Sequence, residues 1–225
     1  YSGDITNKGN FLYRSDSNQI LSGVISGNGS LTTNGTGTLS LSGNNTYNGT
    51  TTITAGTLEI AATGRLNGGN YSGNISNAGT FNYASSANQT LGGILSGTGS
   101  LTKSGASTLT LTGVNTSTGD ISINAGTLAI GGTGQLASGT YSGNISNAGE
   151  LVVVLNGVEL LYTVVGKPGS GLIVGMSIVA TPLIGNSIIT ISNPLTAVVG
   201  GLQVDAATGA LTQPISCHLI IKQLK

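Results

Sequence analysis

Residues 71–113 read YSGNISNAGTFNYASSANQTLGGILSGTGSLTKSGASTLTLTG, and residues 123–140 read INAGTLAIGGTGQLASGT. Residues 1–43 and 53–70 spell the same unit: YSGDITNKGNFLYRSDSNQILSGVISGNGSLTTNGTGTLSLSG, then ITAGTLEIAATGRLNGGN. The offset from Tyr1 to Tyr71 is 70 residues, without a gap, and a little over half the positions are identical. A third copy starts at Tyr141, where YSGNISNAG matches Tyr71–Gly79, and breaks off at Glu150. The repeat divides the chain into an array (1–70, 71–140 and a partial 141–150) and a different tail, 151–225.

Composition narrows the fold. Charged residues make up 6% of the 225, against about a quarter in ordinary globular domains. Leu, Ile and Val nevertheless recur at regular places, so there is apolar surface to bury. The 38 glycines follow no three-residue period, which excludes collagen. The net charge is zero and no basic patch exists, so nothing draws the chain to nucleic acid. The longest apolar run, LVVVLNGVELLYTVVG, is broken by Asn, Gly and Glu and is no spanning helix, and 151–225 is too short for a membrane barrel. A chain without an initial Met or a leader, starting at a repeat boundary, is expected to be a mature form or a fragment of a longer array. One cysteine, Cys217, cannot form an internal disulfide.

Helix is disfavoured in the array, because Gly and β-branched residues are dense and no 3.6-residue apolar stripe runs through it. Period two governs instead. Leu39 and Leu41 share a face, as do Leu58 and Ile60, Leu109 and Leu111, and Leu128 and Ile130. Asn28-Gly29, Asn34-Gly35, Asn48-Gly49 and Asn67-Gly68 are turn dipeptides between the short strands. Too few units are present to close a propeller, so a β-solenoid is expected. With roughly 20–25 residues per coil, each unit makes about three coils stacked about 4.8 Å apart.

GNGSLTTNGTGTLSLSGNNTYNGTTTITAGTLEI and GTGSLTKSGASTLTLTGVNTSTGDISINAGTLAI resemble the autotransporter-associated β-strand repeat. The pattern elements stand at Lys103, Gly105, Thr108–Leu111 and Asn124–Leu128, and cover about half of each unit. The resemblance implies a parallel, right-handed β-helix on a bacterial surface. It implies no particular activity.

The tail reads as an antiparallel β-rich module. Two apolar runs flank Asn156-Gly157, a hairpin signal, and GLIVGMSIVA, NSIITIS and PISCHLIIKQL follow as further strands with Pro182, Pro194 and Pro214 at their borders. Its order resembles the C-terminal half of the trimeric jelly-roll heads of spore-surface collagen-like glycoproteins (BclA-like, of the TNF type). Half a jelly roll needs a partner for its open sheet, so the tail is expected to cap, trimerise or dock. Leu151, Val152, Val153, Val154, Ile215, Leu219, Ile220, Ile221 and Leu224 are the expected subunit contact.

Catalysis finds little support. Cys217 and His218 are strand neighbours and point to opposite faces, so they form no nucleophile–base pair. The seven carboxylates are scattered, and across the 70-residue period Glu59 aligns with Ala129, Asp16 with Ser86 and Asp4 with Asn74, so no acidic column survives. No cofactor or metal motif occurs, and the chain is read as not an enzyme. Tyr1, Tyr71 and Tyr141 recur, as do Phe11 with Phe81 and Tyr13 with Tyr83, and suit either a core or a sugar-binding face. Thr50-Thr51-Thr52 invites an ice-binding rank, which Asp120-Ile121-Ser122 interrupts one unit later. The expectation is therefore an all-β protein: a parallel β-solenoid at 1–150 and a half-jelly-roll-like module at 151–225. It is expected to form an extracellular stalk or fibre on a bacterial cell or spore surface, self-assembled as a homotrimer or head-to-tail filament. The alternative is a surface adhesin, with glycans as partners.

Overall fold

The computed structural model describes residues 1–155, 158–165, 173–176, 189–193 and 219–223, with side chains described through residue 153. Short strands alternate with turns, and the helical elements among these residues are two single 3₁₀ turns, Asn67–Gly69 and Ala137–Gly139. The strands stack in parallel into a three-sided solenoid of about seven coils. One face carries Asn10–Tyr13, Ser30–Thr33, Thr51–Ile53, Ile75–Asn77 and Leu95–Ser96. The next carries Gln19–Leu21, Thr38–Leu41, Thr57–Ile60, Thr80–Tyr83, Ser100–Lys103, Ile121–Ile123 and Ile145–Asn147. The third begins with Ile5–Thr6 and Ile25–Ser26 and resumes as Asn70–Tyr71, Gln89–Leu91, Thr108–Leu111, Thr127–Ile130 and Glu150–Leu155. A single bridge between Asn44 and Arg65 joins its two parts.

Period two decides which residues enter the core. Along each strand alternate side chains face inward, and the parallel register stacks them coil over coil. Leu39, Leu58, Phe81, Leu101 and Ile121 form one such column. Leu41, Ile60 and Tyr83 head the adjacent one. These side chains are almost completely buried, and full burial of each stabilises the fold by about 1.5–3 kcal/mol. Polar groups in the core are bonded between coils. The buried Asn45 accepts from the Ile25 amide (2.9 Å) and donates to the Gly43 and Arg65 carbonyls. Asn115 repeats this with Leu95, Gly113 and Gln135.

The repeat and the coil do not share a period. Phe11, Leu31, Thr51 and Ile75 climb three coils of one column. Phe81, the counterpart of Phe11 one unit on, comes six residues after Ile75, on the next face, paired with Leu58 and Leu101. Likewise Tyr13, Thr33 and Ile53 stack on one face, and their counterparts Tyr83, Lys103 and Ile123 stack on the next. A unit thus makes three and a third coils, not the three expected, and each unit is turned by one face relative to the last. Comparing positions 70 residues apart therefore compares different faces. The vertical neighbours of Glu59 are Ser40 and Asn82, not Ala129. Those of Thr52 are Thr32 and Ser76, in an outward rank running from Leu12 to Ser96, so Ser122 does not interrupt it. Among the described residues no carboxylate column emerges from the correct register either.

At the upper end Glu150–Leu155 continues the third face by pairing with Thr127–Ile130, then turns back antiparallel against Val158–Val165, which pairs with Ile173–Met176. Ile189–Asn193 and Leu219–Gln223 pair in parallel.

Coil stacking leaves no room for a Cβ at many turns. A Cβ at Gly105 would lie 2.1 Å from the Ser85 carbonyl oxygen, whereas one at Gly9 would meet nothing within 4 Å. Gly105→Ala should lower stability by about 1–3 kcal/mol through overpacking against backbone, and Gly9→Ala should change it by less than about 0.5 kcal/mol. Urea unfolding followed by circular dichroism measures both; equal midpoints for the two variants would contradict the stacking argument.

Candidate functional site

Every third coil is longer than its neighbours. Thr51 to Ile75 takes four residues more than Leu31 to Thr51, and the excess emerges as a loop around Asn67–Gly69. Its backbone is left-handed at Asn67 (φ 44°), Gly68 (62°) and Gly69 (105°), where Asn and Gly carry the least steric cost. The loop is tied down at both ends. Leu66 is fully buried, its amide donates to Gln89 Oε1 (2.8 Å), and Gln89 Nε2 donates back to its carbonyl (3.1 Å). Asn67 Nδ2 donates to the Asn70 carbonyl (2.9 Å), and the Gly68 amide donates to the Asn45 carbonyl (3.0 Å).

Beside this loop lies an open cavity of about 390 Å³, where the end of the first unit meets the first coils of the second. Arg65, Asn70, Asn88, Thr90, Thr108 and Thr110 supply its polar chemistry. Asn70, Thr90 and Thr110 stand in one outward rank. Asn88 accepts from the Thr108 amide through Oδ1 (2.9 Å). The Arg65 main chain is fixed to the coil below, its amide donating to the Gly43 carbonyl and its carbonyl accepting from the Asn45 amide. Its side chain is half-buried, and the buried Nε has no hydrogen-bond partner among the described residues.

The sequence reading did not single out this groove. The signal was the departure of TGRLNGGN at 63–70 from TGQLASGT at 133–140, which sets a cation against Gln135.

Of the recurring aromatics, Tyr71, Phe81 and Tyr83 belong to the core, and Phe11, Tyr13 and Tyr141 pack partly buried against it. Tyr71 is buried and meets Tyr47 edge to face, with ring centroids 5.7 Å apart. Thr51 Oγ1 bridges the two hydroxyls at 3.0 and 2.8 Å, and the Tyr71 hydroxyl also donates to the Gly49 carbonyl. Phe81 and Tyr83 are fully buried, while Tyr141 is half-buried and Tyr1 exposed. Burial pushes the Tyr71 phenol up to about 12 and the Tyr47 phenol higher still. Lys103 is buried in the column above Tyr83, its Nζ 5.9 Å from the ring centroid and donating to the Gly105 and Ala125 carbonyls. Desolvation lowers its pKa.

Glu59 accepts from Ser40 Oγ (3.1 Å) and Asn82 Nδ2 (2.9 Å) and is part of a surface ladder. Among the described residues no three His, Cys, Asp or Glu side chains gather as metal ligands. Of the expected subunit contacts, Leu151 and Val153 pack against the solenoid core and Val152 is buried. Val154 pairs with Glu159, and Leu219, Ile220 and Ile221 pair with Ile189, Thr190 and Ile191. Ile215, Leu224, Cys217, His218 and the Asn156-Gly157 turn lie outside the described residues.

The tyrosine pair makes stability pH-dependent. A folded-state pKa of about 12 against 10.0 unfolded means that the unfolded chain loses its phenolic proton first. The contribution of Tyr71 is complete below pH 10 and should disappear as pH rises to about 12. Tyr71→Phe should flatten that fall in a denaturation series against pH. An unchanged slope in the variant would refute the assignment.

Residues 31–60 and 101–130 match the family model described as Passenger-associated-transport-repeat. The chain is 47% identical over 107 residues to the "Adhesin BmaC autotransporter" of Brucella suis biovar 1 (strain 1330). The similarity covers 48% of this chain and 3% of that protein, so the chain spans a small fraction of its relative's length. No solved structure matches the chain. Each of the two 70-residue units thus contains one 30-residue stretch that matches this repeat model.

Proposed function

We propose that this chain is a segment of an adhesin passenger displayed on the bacterial cell surface, in which the solenoid carries contact surfaces away from the cell. The observation that supports this reading is the likeness of nearly half the chain to an autotransporter adhesin. The physical build agrees with it. A solenoid whose inter-coil hydrogen bonds hold each coil to the next is a stiff spacer, and the loops inserted into it are carried away from the cell. The adhesin similarity favours attachment over a purely structural fibre and a cell surface over a spore.

Display of residues 1–225 on a non-adherent bacterium tests the proposal. Binding to epithelial cells should rise several-fold over the display carrier alone. Binding equal to the carrier, with surface exposure confirmed by antibody, would overturn it.

The tail is proposed to join copies of the chain through the apolar sequence at 215–224, since Leu151, Val152 and Val153 are packed within the chain itself. Light scattering on the purified chain should then give about three times the 22.2 kDa protomer mass, or a larger filament. A 22.2 kDa particle at all concentrations would remove self-assembly from the proposal while leaving the adhesin reading in place.

A further inference from the structure

We propose that the groove between the Asn67–Gly69 loop and the first coils of the second unit binds a carboxylate-bearing saccharide, with Arg65 as the anchor for the carboxylate. This rests on the adhesin reading and gives it a ligand class.

Three observations combine. The first is the unpaired donor. Arg65 Nε is buried without a partner among the described residues, and a buried donor left unsatisfied is costly. A guanidinium edge made of Nε and one Nη offers two parallel donors, which match the two oxygens of a carboxylate. A carboxylate entering the groove supplies the missing acceptor once the half-buried side chain turns outward to meet it.

The second is the rest of the lining. Asn70, Asn88, Thr90, Thr108 and Thr110 are neutral amides and hydroxyls that both donate and accept. They suit the hydroxyls of a sugar ring. No aromatic or large aliphatic side chain lines the cavity, so an apolar ligand gains nothing there. One cation among neutral polar groups selects one anionic group on an otherwise neutral, hydroxylated molecule.

The third is size and position. About 390 Å³ falls within the range of roughly 300–1,000 Å³ typical of small-ligand sites. The groove is open at the wall of the solenoid, so a sugar within a longer chain can reach it. The loop that forms its rim is anchored by Leu66 and Gln89, so the rim is fixed and only the Arg65 side chain has to move. The corresponding loop of the second unit carries Gln135, an exposed neutral residue, where the first has Arg65. The anionic specificity therefore belongs to the first loop.

The natural occupant of the equivalent position makes Arg65→Gln a conservative test. Isothermal titration of the full chain would use trigalacturonate, its neutral counterpart trigalactose, and inorganic phosphate. The wild type should bind trigalacturonate at least tenfold more tightly than either of the others, and added salt should weaken that binding. R65Q should lose at least tenfold in affinity with an unchanged circular dichroism spectrum. Arg65→Lys, which keeps the charge but not the paired donors, should fall between them. Equal binding of trigalacturonate by wild type and R65Q would overturn the proposal. So would equal affinity for trigalactose, which removes the carboxylate, or for phosphate, which removes the sugar. A displayed chain that promotes adhesion but binds no trigalacturonate would refute this ligand assignment alone.

Discussion

Backbone pairing between coils governs everything else in this molecule. Parallel hydrogen bonds hold each strand about 4.8 Å from the strand of the coil below. This pairing makes vertical neighbours of Leu39, Leu58, Phe81 and Leu101, so a core forms although no segment is strongly apolar by itself. It brings carbonyl oxygens so close to Gly35 and Gly105 that a methyl group would overlap them. It also decides how polar residues are buried. Asn45 and Asn115 are tolerated inside because each bonds coils on both sides. Lys103 is tolerated because two turn carbonyls and the Tyr83 ring face its ammonium.

The mismatch between repeat and coil follows from where residues were added. Most coils take about twenty residues, and the coil closing each unit takes about four more, which leave as the loops around Asn67–Gly69 and Ala137–Gly139. The unit then ends a third of a turn past a whole number of coils. An outward feature that recurs with the sequence recurs one face round and, at three and a third coils, about 16 Å higher. Three units would bring it back to the starting face. The array spreads each unit's surface around its axis instead of concentrating it on one side.

Much of this was legible in the residues. Alternation in TLSLSG and GTLEI marks which side chains face inward, and Leu39, Leu41, Leu58 and Ile60 are all buried. The turn dipeptides and the missing helical stripe pointed to a solenoid. What sequence could not supply was the phase between repeat and coil, because phase depends on how many residues each turn consumes. The 70-residue offset sets Glu59 against Ala129, whereas its neighbours in the fold are Ser40 and Asn82. The groove was hidden for the same reason. Arg65, Thr90 and Thr110 are distant in sequence, and only the register places them around one cavity.

The regular wall is a poor place for a binding site, and this is why the inserted loop matters. Along the sheets, side chains satisfy one another between coils. Asn10 accepts from Ser30 and Thr32, Glu59 from Ser40 and Asn82, and Asp16 from Thr36. A ligand must displace those bonds and gains little in exchange, since a hydrogen bond made at the expense of another contributes little net free energy. At the loop the third face is interrupted, although the other two faces stay paired through the same coil, and Arg65 is left with a donor that no described residue answers. Specific recognition in such an array is therefore expected at the insertions, where the ladder fails to close on itself, with the repeating wall acting as the frame that holds them apart.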